Sequence, residues 1–206
     1  SNAPDLLVVG DTPQITMDYV EFDGVDLRVR GDLLTSVSNC RVERANVAIA
    51  DRTEPFTMSS CTVLPGDGST LSGIEVRGVP NVTLQDVEIG NSYTGVYFYG
   101  FQDAAMLHLE NVVIRDSVQG VYGYNLESEL TQSVVLDGLT VSNLETFGLR
   151  LTGTDLEGSG LNASDLGKQV VYSNRSVTLS ESSIGNINDT CIYVSEQYPV
   201  ALDDVT

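Results

Sequence analysis

The chain has 206 residues, 41% of them hydrophobic, and a formal net charge of −19, with 29 acidic residues against nine Arg and a single Lys, Lys168. A field of that sign repels nucleic acid and anionic membrane, so neither is an expected partner, and it disfavours long polyuronates unless cations bridge them. No apolar run reaches the roughly 18 residues that a membrane-crossing helix needs, and no linker-like stretch divides the chain.

From the first residues onward one pattern recurs. An apolar residue is followed by two residues rich in Asn, Asp or Gly, then by apolar residues at the next position and two further on. It begins at Met17, then at Val37, Met58, Leu84, Leu109, Leu136, Leu161, Leu179 and Leu202, with spacings of 20, 21, 26, 25, 27, 25, 18 and 23 residues. A period near twenty-odd residues, with apolar residues at alternate positions and no helical periodicity, predicts a solenoid whose repeating unit is one coil of strands.

The segment Val82 to Phe98 shows how a coil is built. Val82/Leu84, Val87/Ile89 and Val96/Phe98 point inward in three alternating runs, with Thr83, Glu88 and Tyr97 opposite. Asp86 interrupts the alternation and marks a corner, and Gly90-Asn91 and the segment up to Gly95 supply the other two turns. The same corner holds Asn39, Asn111, Gly138 and Asp204, while Tyr19, Ser60, Ala163 and Glu181 depart from it. Val20, Cys40, Cys61, Val87, Val112 and Leu139 are expected to form one inward stack, and Leu84, Leu109 and Leu136 another. Three inward apolar rows describe a triangular prism. Cys40 and Cys61 fall in one column of consecutive coils, within disulfide range at Cα; parallel in-register side chains are expected to hold their Cβ atoms slightly too far apart, which favours a reduced, buried stack. Cys191 falls near the column of Gly95, Gly120 and Gly148 and has no evident partner.

Repeats such as NVTLQDVEIGNSYTGVYFYG and LHLENVVIRDSVQGVYGYN resemble the coil of right-handed parallel β-helices, the fold of the pectate-lyase-like superfamily, over nearly the whole chain from about Ile15. The resemblance implies an all-β, single-stranded solenoid of about eight to nine three-strand coils, a rod on the order of 40 Å long at about 4.8 Å per coil. Ser1-Asn2-Ala3 reads as a remnant of tag removal, leaving one domain over residues 4–206. Neither end carries an amphipathic cap helix and Leu202-Asp203-Asp204-Val205 begins another coil, so the domain is expected to belong to a longer chain.

Motifs for catalysis are sparse. His108 is the single histidine, with no nucleophile and orienting carboxylate arranged around it, and the Cys/His clusters that zinc requires are missing. The polygalacturonase-like set NTD, DD, GHG and RIK is absent, as is the DPH of alginate epimerases, and VRGVP at Val76 to Pro80 only faintly echoes the Arg-containing strand of pectate lyases. No cofactor motif is present. Asp67, Asp103, Glu127, Glu129, Asp155 and Glu157, mostly in expected turns, offer oxygen ligands suited to calcium, without a calcium-binding motif around them.

One outward column stands out. The exposed positions of the third strand run Arg28/Arg30, Ala48/Ala50, Glu75/Arg77, Tyr97/Tyr99, Tyr122/Tyr124, Arg150/Thr152 and Tyr193/Ser195, with Tyr172 in the intervening coil. Six of the nine tyrosines thus share one face, a flat amphipathic strip suited to the apolar faces and hydroxyls of sugar rings. Cross-strand aromatic pairs also stabilise sheets wherever they occur. The leading expectation is a secreted or cell-surface module, with the periplasm as a further compartment, that binds a polysaccharide or cell-surface glycan through Glu75, Arg77, Tyr97, Tyr99, Tyr122, Tyr124, Arg150 and Tyr193. A polysaccharide lyase or glycoside hydrolase of the same superfamily is the alternative, and a passive stalk of a larger surface protein the third reading.

Overall fold

The computed structural model describes residues 5–10, 15–66, 71–99, 104–125, 132–195 and 197–206. The expected remnant at residues 1–3 lies outside them. The described residues form parallel strands and no helix, wound as a β-solenoid of about eight turns. Among them no helix is long and apolar enough to cross a membrane.

The three alternating runs of each coil become three faces. Third-run strands stack as a nine-stranded parallel sheet: Asp5–Val9, Asp26–Arg30, Val47–Ala50, Ser72–Arg77, Thr94–Tyr99, Gln119–Tyr124, Leu149–Thr152, Val171–Ser173 and Ile192–Val194. The other two runs belong to a single thirteen-stranded sheet. In the early coils they are separate strands, such as Asn81–Gln85 and Glu88–Gly90. Later they merge into long bent strands, Ala105–Ser117, Gln132–Leu144, Asp155–Leu166 and Val177–Ile187.

The bend is the Asn/Asp corner, and its backbone is more uniform than its chemistry. Tyr19, Asn39, Ser60, Asp86, Asn111, Gly138, Gly160, Glu181 and Asp204 stack through the coils, and all nine are left-handed, with φ between 47 and 85°. Left-handed backbone costs a non-glycine residue on the order of 1 kcal/mol, least for Asn and Asp. Neighbouring coils offset part of that: Asn39 donates to Asp18 at 2.7 Å and Asn111 to Asp86 at 3.2 Å. A second corner stacks Asn91, Asp116, Asn143, Asp165 and Asn186, again left-handed. There Asn143 donates to Asp116 at 2.6 Å and Asn186 to Asp165 at 3.1 Å.

The register corrects one repeat. Leu136 pairs with Gly158 and Gly158 with Leu179, whereas Leu161 pairs with Leu139. The repeat assigned to Leu161 therefore starts three residues earlier, and Gly160 rather than Ala163 turns the corner. The slip has a physical origin: Gly158 occupies the leucine column with φ +140°, where a Cβ would lie 2.1 Å from the Leu136 carbonyl oxygen. With no apolar side chain to mark the column, the next leucine took its place in the pattern.

Both expected inward stacks are present. Met58, Leu84, Leu109 and Leu136 are buried in one row, and Cys40, Cys61, Val87, Val112 and Leu139 in the next, which Leu161 continues; Val20 is half-buried and packs against the same core. At roughly 1.5–3 kcal/mol for each large side chain removed from water, these rows stabilise the rod. The turn between Val47–Ala50 and Phe56–Ser59 is tied from inside by Arg52, which is fully buried, donates to the Gly31 carbonyl at 2.6 Å and lies over the Phe56 ring at 5.3 Å.

The expectation of a reduced cysteine stack is overturned, since Cys40 and Cys61 form a disulfide with Cα atoms 4.5 Å apart. Both residues follow a left-handed corner residue, Asn39 or Ser60, and lie outside the strands. Ladder geometry, which assumed a strand spacing of about 4.8 Å, does not govern that point of the coil. Cys191 is free and exposed.

Candidate functional site

Every member of the expected strip lies on the nine-stranded sheet, and the pairing fixes the order. Arg28, Ala48, Glu75, Tyr97, Tyr122, Arg150, Tyr172 and Tyr193 form one outward row, with Arg30, Ala50, Arg77, Tyr99, Tyr124 and Thr152 beside it. Alternation places them there. Val96 and Phe98 point into the core and send Tyr97 and Tyr99 outward; in the next coil Val121 and Gly123 do the same for Tyr122 and Tyr124. Gly123 leaves core space that Leu151 fills, since a Cβ there would meet Leu151 Cδ2 at 2.8 Å.

The tyrosines form two ring platforms. Tyr97 and Tyr99 have ring centroids 6.3 Å apart, Tyr97 and Tyr122 5.5 Å, Tyr99 and Tyr124 5.7 Å, and Tyr122 and Tyr124 6.1 Å, so the four make a tile two rings wide. Tyr172 and Tyr193 stack at 5.1 Å and nearly parallel, forming the second platform. Between the platforms lies Arg150, its guanidinium carbon 5.5 Å from the Tyr122 centroid, 5.4 Å from Phe147 and 5.9 Å from Tyr172. Tyr193 stacks on Tyr172 from the last strand of the sheet, which makes it the far end of the strip.

A column of glycines supplies the wall beside the first platform. Gly73, Gly95, Gly120 and Gly148 stack where the chain enters this face, and a Cβ on Gly120 would lie 2.3 Å from the Gly148 carbonyl oxygen. The residues just before them, Ser72, Thr94, Gln119 and Phe147, form the row alongside. The sequence pattern marks Gly95, Gly120 and Gly148 but neither Gly73 nor this row, because the entry turn breaks the two-residue alternation. Position immediately before each column glycine was the signal that marks it. The result is a groove of about 470 Å³ bounded by Thr94, Gln119, Glu75, Tyr97, Tyr122 and Arg150. A second hollow of about 290 Å³ continues toward the early coils between Asp26, Arg28, Arg30, Glu75 and Arg77.

The charges in the groove are not equivalent. Arg77 is ion-paired with Glu75 on its own strand, so much of its charge is already met. Arg150 lies over three aromatic rings and has no carboxylate within ion-pair distance among the described residues. Burial, with the neighbouring Tyr122 phenol adding to it, raises the Tyr97 hydroxyl above the usual phenol range, which keeps it a neutral donor and acceptor at physiological pH. His108 sits on another face, half-exposed between Thr83 and Val135. Asp155 and Glu157 lie in a strand rather than a turn, and Asp155 accepts from the backbone N–H and hydroxyl of Ser176. Asp67, Asp103, Glu127 and Glu129 lie outside the described residues. Among the described residues no three His, Cys, Asp or Glu side chains gather as a metal site.

In comparisons with known proteins, no family model, no curated protein and no solved structure matches the chain.

Proposed function

We propose that this domain is an extracellular or cell-surface module, built on a right-handed coil of the pectate-lyase-like kind, that binds a polysaccharide or cell-surface glycan through the strip from Glu75 to Tyr193. The observation that carries the reading is the tile of Tyr97, Tyr99, Tyr122 and Tyr124 beside a walled groove. A flat, rigid aromatic surface stacks on the apolar faces of sugar rings, and polar groups at its edge fix their orientation. The Cys40–Cys61 disulfide supports placement in an oxidising compartment.

A broad glycan array with the wild-type protein, followed by calorimetry on any ligand found, tests the reading. Tyr97→Ala or Tyr122→Ala is expected to weaken binding by about 1–2 kcal/mol while leaving the circular dichroism spectrum unchanged, because both rings point away from the core. An array that returns nothing, with calcium present and absent, leaves the tyrosines as sheet-stabilising pairs in a passive stalk. The second hollow favours one other reading, since the Asp26 and Glu75 carboxylates line it together with Arg28, Arg30 and Arg77, carboxylates for proton transfer beside cations that hold a charged polysaccharide, as in a polysaccharide-cleaving enzyme. Release of unsaturated or reducing sugar from mixed polysaccharides, abolished in Glu75→Gln, is the result that reading requires.

A further inference from the structure

Two polar groups in the groove are left unmet. Gln119 is only 8% exposed, and its carbonyl oxygen Oε1 is buried without a hydrogen-bond donor among the described residues. Buried acceptors are nearly always paired, because one left without a donor keeps the full cost of its removal from water. The second is Arg150. Six arginines, at 28, 41, 44, 52, 77 and 115, lie within ion-pair distance of at least one carboxylate. In a chain of net charge −19, Arg150 has no such partner among the described residues, although three rings hold its guanidinium in place.

We infer that the groove is a subsite for a sugar residue carrying one anionic group, a carboxylate or a sulfate ester, with the anion on Arg150, the ring face on Tyr97 and Tyr122, and a sugar hydroxyl or amide N–H donated to Gln119. The inference rests on the glycan reading of the strip and names its ligand class. Arginine presents a planar fork matched to such oxyanions, and a guanidinium already stacked on aromatic faces loses little freedom when one arrives. The terminal torsion of a glutamine is soft, so the Gln119 amide turns toward a donor seated beside it without moving the backbone. One anionic group, rather than a run of them, follows from the surroundings: Glu75 stands at the other end of the same groove, and the net field opposes polyanions.

The test uses lactose as neutral probe, sialyllactose as the carboxylate probe, monosulfated lactose as the sulfate probe and polygalacturonate as the polyanion. Each is titrated into wild type, Arg150→Met, Arg150→Lys, Gln119→Leu and Tyr97→Ala. The expected result is tighter binding of one or both singly charged probes than of lactose or polygalacturonate, and the stronger of the two identifies the anion. Arg150→Met should lose that preference, with the charged probes weakened about tenfold more than lactose; Arg150→Lys should keep part of it. Gln119→Leu should weaken all the lactose-based probes severalfold. Equal binding of lactose and the charged probes, unchanged in Arg150→Met while Tyr97→Ala still weakens both, overturns the inference and leaves the platform standing. Binding of no probe, together with an empty glycan array, overturns both. Melting curves for each variant separate lost binding from lost fold.

Discussion

Replacing Gly120 by Ala adds one methyl group to a chain of 206 residues, and the structure indicates that it is severe. The new Cβ lies 2.3 Å from the Gly148 carbonyl oxygen, 3.2 Å from the Gly148 carbonyl carbon and 3.2 Å from Leu144 Cδ1. The closest atom belongs to the backbone of the adjacent coil, so no side-chain rotation relieves the overlap. Relief requires moving strands Gln119–Tyr124 and Leu149–Thr152 apart by on the order of 1 Å, against ordinary contact distances. That stretches the bonds from Gly120 N–H to the Phe147 carbonyl, 2.9 Å, and from Val121 N–H to the Gly148 carbonyl, 2.8 Å. Two weakened ladder bonds at about 1 kcal/mol each, plus about 1–3 kcal/mol for overpacking, give roughly 3–5 kcal/mol. In a domain of this size that corresponds to a fall in melting temperature of about 10 °C, read by circular dichroism near 218 nm. The control is Gly185→Ala, where an added Cβ meets nothing within 4 Å and melting should change by no more than a degree or two. Equal melting temperatures for the two variants refute the packing argument, and with it the account of how the groove wall is placed.

Thiol labelling of the denatured protein without reductant should count one free thiol, that of Cys191, and three only after reduction; closing a loop of 21 residues, the Cys40–Cys61 bond should stabilise the fold by about 3 kcal/mol, so Cys40→Ser/Cys61→Ser should melt lower. Stability should fall in acid. Ser38 and Asn39 donate to Asp18, and Asn143 and Arg115 to Asp116, and these bonds hold both carboxyls below their ordinary value of 3.8. A carboxyl lowered in the folded state contributes stability that is complete above its unfolded pKa and lost as pH drops through the folded one. Melting temperature should therefore hold from pH 7 to about 5 and decline below pH 4, and Asn143→Ala should make that decline shallower.

The solenoid was legible because its signal is repeated: alternation places Leu84, Leu109 and Leu136 in one column whichever coil is read first. The tyrosine strip was legible for the same reason, since six rings at two outward positions of four coils exceed what scattered surface residues produce. What the residues did not disclose were the places where the backbone rather than a side chain carries the pattern. Gly158 hides the leucine column, and Tyr19 and Glu181 turn a corner whose other occupants are mostly Asn, Asp and Gly. Cys40 and Cys61 meet at a corner where strand geometry does not apply. In the candidate site, Arg77 and Arg150 look alike in sequence, and the Glu75 ion pair of the one and the three rings around the other distinguish them. Gln119 and Phe147 escaped because the turn at the glycine column shifts their facing.

Because each coil sets one residue in each outward row, the strip is graduated: its marks fall one strand spacing apart, about 4.8 Å. From Glu75 to Tyr193 it carries six marks, through Tyr97, Tyr122, Arg150 and Tyr172. A ligand running along the rod axis would cover more marks as it lengthens, and its affinity would rise in steps with chain length until the marks run out. Duplicating a single coil would add one graduation without re-cutting any other, so the reach of such a surface is set by counting coils rather than by reshaping a pocket.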